Sequence, residues 1–154
     1  GADAGVVAHA TVGITKPTWA ADADGAFHRR VDGGWAHDVS TGAPPLDDQA
    51  YRPGTINVVV QVPVPLTRAA LTNAVITATE AKSQALFEAD IPGTGTASDA
   101  VTIVAPIAPA EVEVTGRAAS GTGPEPFAGP RSPWGARIGR AVHAAIAEGW
   151  RRHP

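Results

Sequence analysis

The sequence predicts a mixed domain, α+β or α/β, in which a layered sheet is packed by two main helices at about 67–89 and 133–150, with a hairpin-like excursion at about 15–50. Three observations predict it. Two short runs, GVVAHATV at 5–12 and TINVVVQV at 55–62, are rich in β-branched residues, as largely buried strands are. Two longer stretches repeat their apolar residues with the helical period of 3.6. Strand and helix patterns then follow one another along the chain, which builds two or three packed layers.

Composition sets the bounds. With 154 residues, 44% hydrophobic and 18% charged, the chain has the length and character of one globular domain with a real core. A formal charge of −3 and the lack of a basic stripe argue against nucleic acid as a partner. No apolar run approaches the roughly 20 residues that cross a bilayer, so no membrane role is expected and the expected compartment is the cytoplasm. Cysteine is absent, which removes disulfides, thiol nucleophiles and Cys-ligated metal. Methionine is absent as well. The expectation from that is a processed product or a piece of a longer protein.

In chain order, the first strand carries His9 on the face of Val7 and Thr11, where it reads as a structural histidine. Between Thr15 and Pro53 apolar residues thin out. Asp24-Gly25 and Asp32-Gly33 are tight-turn signals, and AFHRRV and WAHDV flank the second of them as a candidate hairpin. Asp22-Ala23-Asp24-Gly25 begins like a calcium loop, but later ligands do not follow at the required spacing, so no metal is expected. TINVVVQV is bounded by Pro53-Gly54 and Pro63. Asn57 interrupts its apolar run, either as an amide bonded within the protein or as a group facing a substrate.

The first helix is capped by Thr67 and broken by Ile91-Pro92-Gly93. Leu71, Ala74, Val75, Ala78, Ala85, Leu86 and Ala89 form its apolar stripe, and Lys82 falls inside that stripe one turn after Ala78. Such a lysine either snorkels its amine outward or holds it in a partly buried site against a carboxylate. Glu80, two positions earlier, points to the other side, so the two cannot pair along the helix. Asn73, Thr77 and Gln84 share the Glu80 face with Ile76 and Phe87.

The loop Gly93-Thr94-Gly95-Thr96-Ala97-Ser98-Asp99 leads into the strand AVTIVA. Its glycines let backbone N–H groups approach a bound group, and Thr94, Thr96 and Ser98 supply hydroxyls. A strand follows and no Gly-Lys-Ser/Thr does, which excludes a phosphate-binding P-loop. Asp99, at the mouth of that strand, is the natural partner for Lys82. Beyond it EVEVTG at 111–116 alternates like a strand. Ser132-Pro133 then caps a structural helix whose inner face is Trp134, Ile138, Ala141, Val142, Ala145 and Ile146, with Arg140 and His143 on the far, solvent side.

Four phrases, PGTINVVVQV, LTNAVITATEAKSQAL, GTGTASDAV and FAGPRSPWGARIGRAV, resemble the adenosylcobinamide amidohydrolases (CbiZ) in order and separation. The early strand GVVAHATVGI resembles the family more loosely, and the 15–50 excursion does not align. The family also has an N-terminal region ahead of where this chain starts, so the chain reads as the C-terminal two-thirds of such a domain. The resemblance implies hydrolysis of the aminopropanol amide of adenosylcobinamide to adenosylcobyric acid, a corrinoid salvage step. The corrinoid is then the substrate, and no cofactor is implied.

Such chemistry needs an activated oxygen, an oxyanion site and a proton for the amine. Asp99 or Glu80 is the candidate base, and Lys82 the oxyanion stabiliser or proton donor. Asn57, Thr77, Thr94, Gly95, Thr96 and Ser98 are candidates for holding the substrate. A homo-oligomer or a companion N-terminal fragment would complete the site if this chain alone does not. The competing readings are a non-catalytic corrinoid-binding module and an inactive fragment.

Overall fold

The computed structural model describes residues 1–39, 54–108 and 123–152. Eight elements are seen: β1 (Ala2–Asp3), β2 (Val6–Val12), β3 (Ala26–Val31), β4 (Gly34–Val39), β5 (Ile56–Gln61), α1 (Arg68–Glu88), β6 (Ala100–Val104) and α2 (Pro133–Arg152). The expected strand at 111–116 lies outside the described residues. The fold is mixed α+β, as expected. β1, β2, β5 and β6 form one sheet in that order, and β3 and β4 form a separate hairpin.

β2 runs antiparallel to β5, pairing His9 with Val59 and Thr11 with Asn57. β5 and β6 are parallel, pairing Asn57 with Ala100 and Val59 with Thr102. A parallel pair needs a crossover, and α1 is that crossover. This connection places the start of β6, and so Asp99, beside α1.

Period 2 decides the two faces of the sheet. Ile56, Val58 and Val60 join Val6 and Ala8 on one face, buried under the helices with Ile138, Val142 and Ile146 of α2. Asn57, Val59 and Gln61 point to the other face, as do His9 and Thr11, and all five are exposed. The expected structural role for His9 is therefore corrected. Its register puts it on the face the helices leave uncovered.

Both helix starts follow their sequence signals. The Thr67 hydroxyl accepts from the Ala70 N–H at 3.1 Å, and the Ser132 hydroxyl accepts from the Gly135 N–H at 3.1 Å, with Pro133 as the first helical residue. At its other end α1 closes with Asp90 in the left-handed region (φ 55°) and the Ile91 N–H returning to the Leu86 carbonyl at 3.0 Å.

The buried stripe of α1 is rotated from the expected one. Ala74, Ala78, Lys82, Ala85 and Leu86 are buried as expected, together with Ala70, Thr77 and Ala81, whereas Val75 is 38% exposed. An alanine-rich helix carries little contrast between its faces. Neighbours therefore decide its rotation, and here α2 and the 125–129 segment cover the Thr77 side.

Candidate active site

Lys82 and Asp99 form the pair their positions suggested, with side chains only 8% and 11% exposed. The Lys82 ammonium donates to Asp99 Oδ2, and the Thr96 N–H donates to the same oxygen at 3.1 Å. Asp99 Oδ1 accepts from the Ile56 N–H at 3.0 Å and from the Thr96 hydroxyl. Four donors thus converge on one carboxylate, which uses the acceptor capacity such a group has. A buried ion pair persists only when its remaining hydrogen-bonding positions are filled in this way.

Gly95 makes the arrangement sterically possible. A Cβ at that position would overlap both the Asp99 carboxylate and the Lys82 amine. The loop is zipped on its other side to the segment before the hairpin. The Thr18 N–H donates to the Gly95 carbonyl at 2.9 Å, and the Thr94 N–H donates to the Thr18 carbonyl at 3.0 Å. The Thr94 hydroxyl accepts from the Ala20 N–H at 3.1 Å, and Ser83 Oγ on α1 lies 3.1 Å from the Thr94 carbonyl. Thr94 is therefore committed to fixing the loop.

Ala97 and Ser98 are the exposed part of the loop and line a cavity of about 560 Å³ with Thr15, Thr18, Trp19 and Phe27. The Ser98 hydroxyl donates to Thr55 Oγ1 at 3.0 Å, and the Thr55 hydroxyl in turn donates to the Ser98 carbonyl at 2.9 Å. Gly95, Thr96 and Ser98 are thus brought together with the Lys82–Asp99 pair at the mouth of β6.

The other candidates stand apart. Asn57 lies on the uncovered sheet face, its amide 3.4 Å from the Thr11 hydroxyl. Thr77 is 2% exposed and its hydroxyl donates to the Ala128 carbonyl at 2.8 Å, while Asn73 Oδ1 accepts from the Ala128 N–H at 3.2 Å. These bonds clamp the 127–129 segment to α1. Thr77→Val leaves a buried carbonyl unpaired and is expected to cost about 1–3 kcal/mol of stability in a denaturant titration. Substrate affinity is expected to stay unchanged.

Glu80 is exposed and lines a groove of about 440 Å³ between α1 and α2 with Gln84, Glu88, Arg140 and His143. Arg140 and His143 were expected on the solvent side of the last helix. Arg140, its side chain 61% exposed, does lie there and pairs with Asp3 on β1, whereas His143 is partly buried, with Nε2 2.7 Å from Glu88 Oε2. The contact with α1 is what half-covers His143, a consequence of helix packing that a single helix's periodicity does not contain.

The Gln84 amide donates to Glu88 Oε1 at 2.7 Å. That bond first, then the one with His143, holds the Glu88 carboxyl below its ordinary value of 4.5. A depressed folded value means stability present above 4.5 and lost as pH falls through the folded value. Glu88→Gln is therefore expected to flatten the decline of Tm below that pH. Thermal melts across the acid range check it, and an unaltered decline would contradict it.

At the hairpin, His28 and His37 face each other across the strands with ring centroids 5.0 Å apart, and His37 Nε2 lies 3.1 Å from Asp22 Oδ2. Among the described residues no group of three or more His, Asp or Glu side chains is placed to hold a metal ion.

Comparison with known families matches the adenosylcobinamide amidohydrolase (CbiZ) model over residues 1–154. The chain belongs to this family. The match takes in the 15–50 segment that the quoted phrases left unaligned. No curated protein and no solved structure matches the chain. For this amidohydrolase-family chain, no helix among the described residues is long and apolar enough to cross a membrane.

Sequence reasoning missed the Ile56 N–H, Thr55 and Thr18 as parts of the site. Two of these act through backbone groups, which every residue carries and no motif advertises. Thr55 alone offered a signal, a hydroxyl at the start of the most regular strand.

Proposed function

We propose that this family member hydrolyses the amide between aminopropanol and the corrin propionate of adenosylcobinamide, releasing adenosylcobyric acid. The observation that carries this reading is the buried Lys82–Asp99 pair with the Thr96 hydroxyl held on the carboxylate.

Water is the nucleophile. The acceptor positions of Asp99 are filled, so a water reaches it through the Thr96 hydroxyl, which passes the proton on to the carboxylate. The new C–O bond forms as the water loses that proton. The C–N bond then breaks, and the amine leaves carrying the proton that Asp99 collected. Lys82 supplies the positive charge that balances Asp99 and the developing oxyanion. The exposed residues Ala97 and Ser98 are the part of the loop that would meet the substrate amide, beside the 560 Å³ cavity. The corrinoid enters as substrate, with no cofactor, and the cytoplasm is the compartment we assign to the reaction.

One observation favours a second reading. The pair is nearly closed to solvent, as an anchor for a binding loop would be, and a corrinoid-binding module would use that loop without chemistry. Incubation with adenosylcobinamide, with aminopropanol followed by mass spectrometry, separates the two. Stoichiometric loss of the amide with enzyme-dependent turnover is the expected result. Binding without release, by this chain and by one extended with an upstream region, would overturn the hydrolase.

A further inference from the structure

A second cavity, of about 510 Å³, opens between the hairpin and the C-terminal end of α1, and its walls concentrate aromatic surface. The sequence holds four Trp, three Phe and one Tyr, and Trp19, Trp35 and Phe87 all line this one cavity. Trp19 is 40% exposed and Phe87 72% exposed, an arrangement packing alone does not call for. Polar groups are interleaved with these rings. His28, His37 and the Asp90 carboxylate share the walls, and His28 Nδ1 is the buried side-chain nitrogen left without a hydrogen-bond partner among the described residues. The polar groups a ligand in the cavity can reach are the exposed Asp90 carboxylate and the half-exposed His37 ring.

The cavity also adjoins the one beside the candidate site. Trp19 lines both cavities, and it follows Thr18, whose backbone is bonded to the loop that holds Lys82 and Asp99. We propose that this cavity binds the adenine of the substrate's adenosyl group, stacked on the exposed Trp19 ring beside Phe87 and Trp35, with Asp90 meeting the edge of the base. Flat aromatic faces take a nucleobase by stacking whatever its sequence context, and Asp90 is an acceptor suited to an exocyclic amino group. An aromatic cage for a small ammonium would be far smaller than 510 Å³. The assignment rests on the amidohydrolase reading for the identity of the ligand, and on the cavity for its chemistry.

The test uses the intact chain and two measurements. 5′-Deoxyadenosine alone is titrated while tryptophan fluorescence is followed, for the wild type and for Trp19→Ala and Trp19→Phe. Saturable quenching is expected in the wild type, weakened about ten- to a hundredfold by Trp19→Ala and largely kept by Trp19→Phe. Adenosylcobinamide and dicyanocobinamide are then compared for binding. The wild type is expected to prefer the adenosylated form, and Trp19→Ala to remove that preference.

Absence of saturable 5′-deoxyadenosine binding would overturn the proposal, as would a Trp19→Ala loss equal for both cobinamides. Binding of tetramethylammonium in competition with 5′-deoxyadenosine at equal affinity would overturn it too. Saturable, Trp19-dependent 5′-deoxyadenosine binding by a chain that releases no aminopropanol would overturn the hydrolase reading and support the cavity assignment. Far-UV circular dichroism of each variant shows that a lost signal is not lost folding.

Discussion

Replacing Lys82 with alanine is expected to lower the unfolding free energy by about 3–5 kcal/mol, because it strips a buried carboxylate of its counter-charge. The residue is 6% exposed and lies behind Gly95, so water does not simply take the place of the amine. Asp99 would keep three donors, from Ile56 and Thr96, but no compensating cation. The loop at 93–98 is organised around that carboxylate, so aminopropanol release is expected to fall by at least about a hundredfold in the folded fraction. Urea denaturation and product assays at a temperature well below Tm separate the two effects. A stability loss under about 1 kcal/mol would place Lys82 in the class of ordinary surface pairs.

Asp99→Asn should have the larger effect on chemistry. The change keeps shape and volume, yet it removes the charge and turns one acceptor oxygen into an NH₂ donor. Four donors point at this position, so the amide necessarily sets donor against donor at one of them. The proposed proton-accepting role disappears at the same time. Turnover is expected to fall by about a hundred- to ten-thousandfold, with adenosylcobinamide affinity changed far less. Steady-state kinetics resolve this as a loss in kcat. A variant that raised KM alone would mark Asp99 as part of a binding loop.

Both predictions come from a pair legible in the sequence. Lys82 recurs at a helical spacing where apolar residues belong, and Asp99 stands one loop later at the start of the next strand, which reads as buried but is the half-exposed edge strand β6. Because β5 and β6 are parallel neighbours, the crossover through α1 necessarily brings the beginning of β6 back beside that helix. The helix caps and the hairpin were legible for the same reason, since Thr67, Ser132-Pro133 and Asp32-Gly33 act locally.

Groups whose role depends on packing were not. Thr77 reads as a polar residue on a mixed face, and only the segment at 127–129 folding over it makes it a buried clamp. Glu80 sits in the same short motif as Lys82, but helical geometry sends it to a groove between two helices rather than to the pair. Trp19 lies in a segment that reads as an excursion with no periodicity. Its place beside the loop comes from a backbone bridge between Thr18 and Gly95, which side-chain patterns do not encode.

The most direct measurement is aminopropanol release from adenosylcobinamide by the wild-type and Asp99→Asn chains in parallel, at equal concentrations of folded protein. Steady turnover by the wild type and at least a hundredfold less by the variant is the predicted result. Equal rates from the two chains would contradict the assignment of hydrolysis to the Lys82–Asp99 pair.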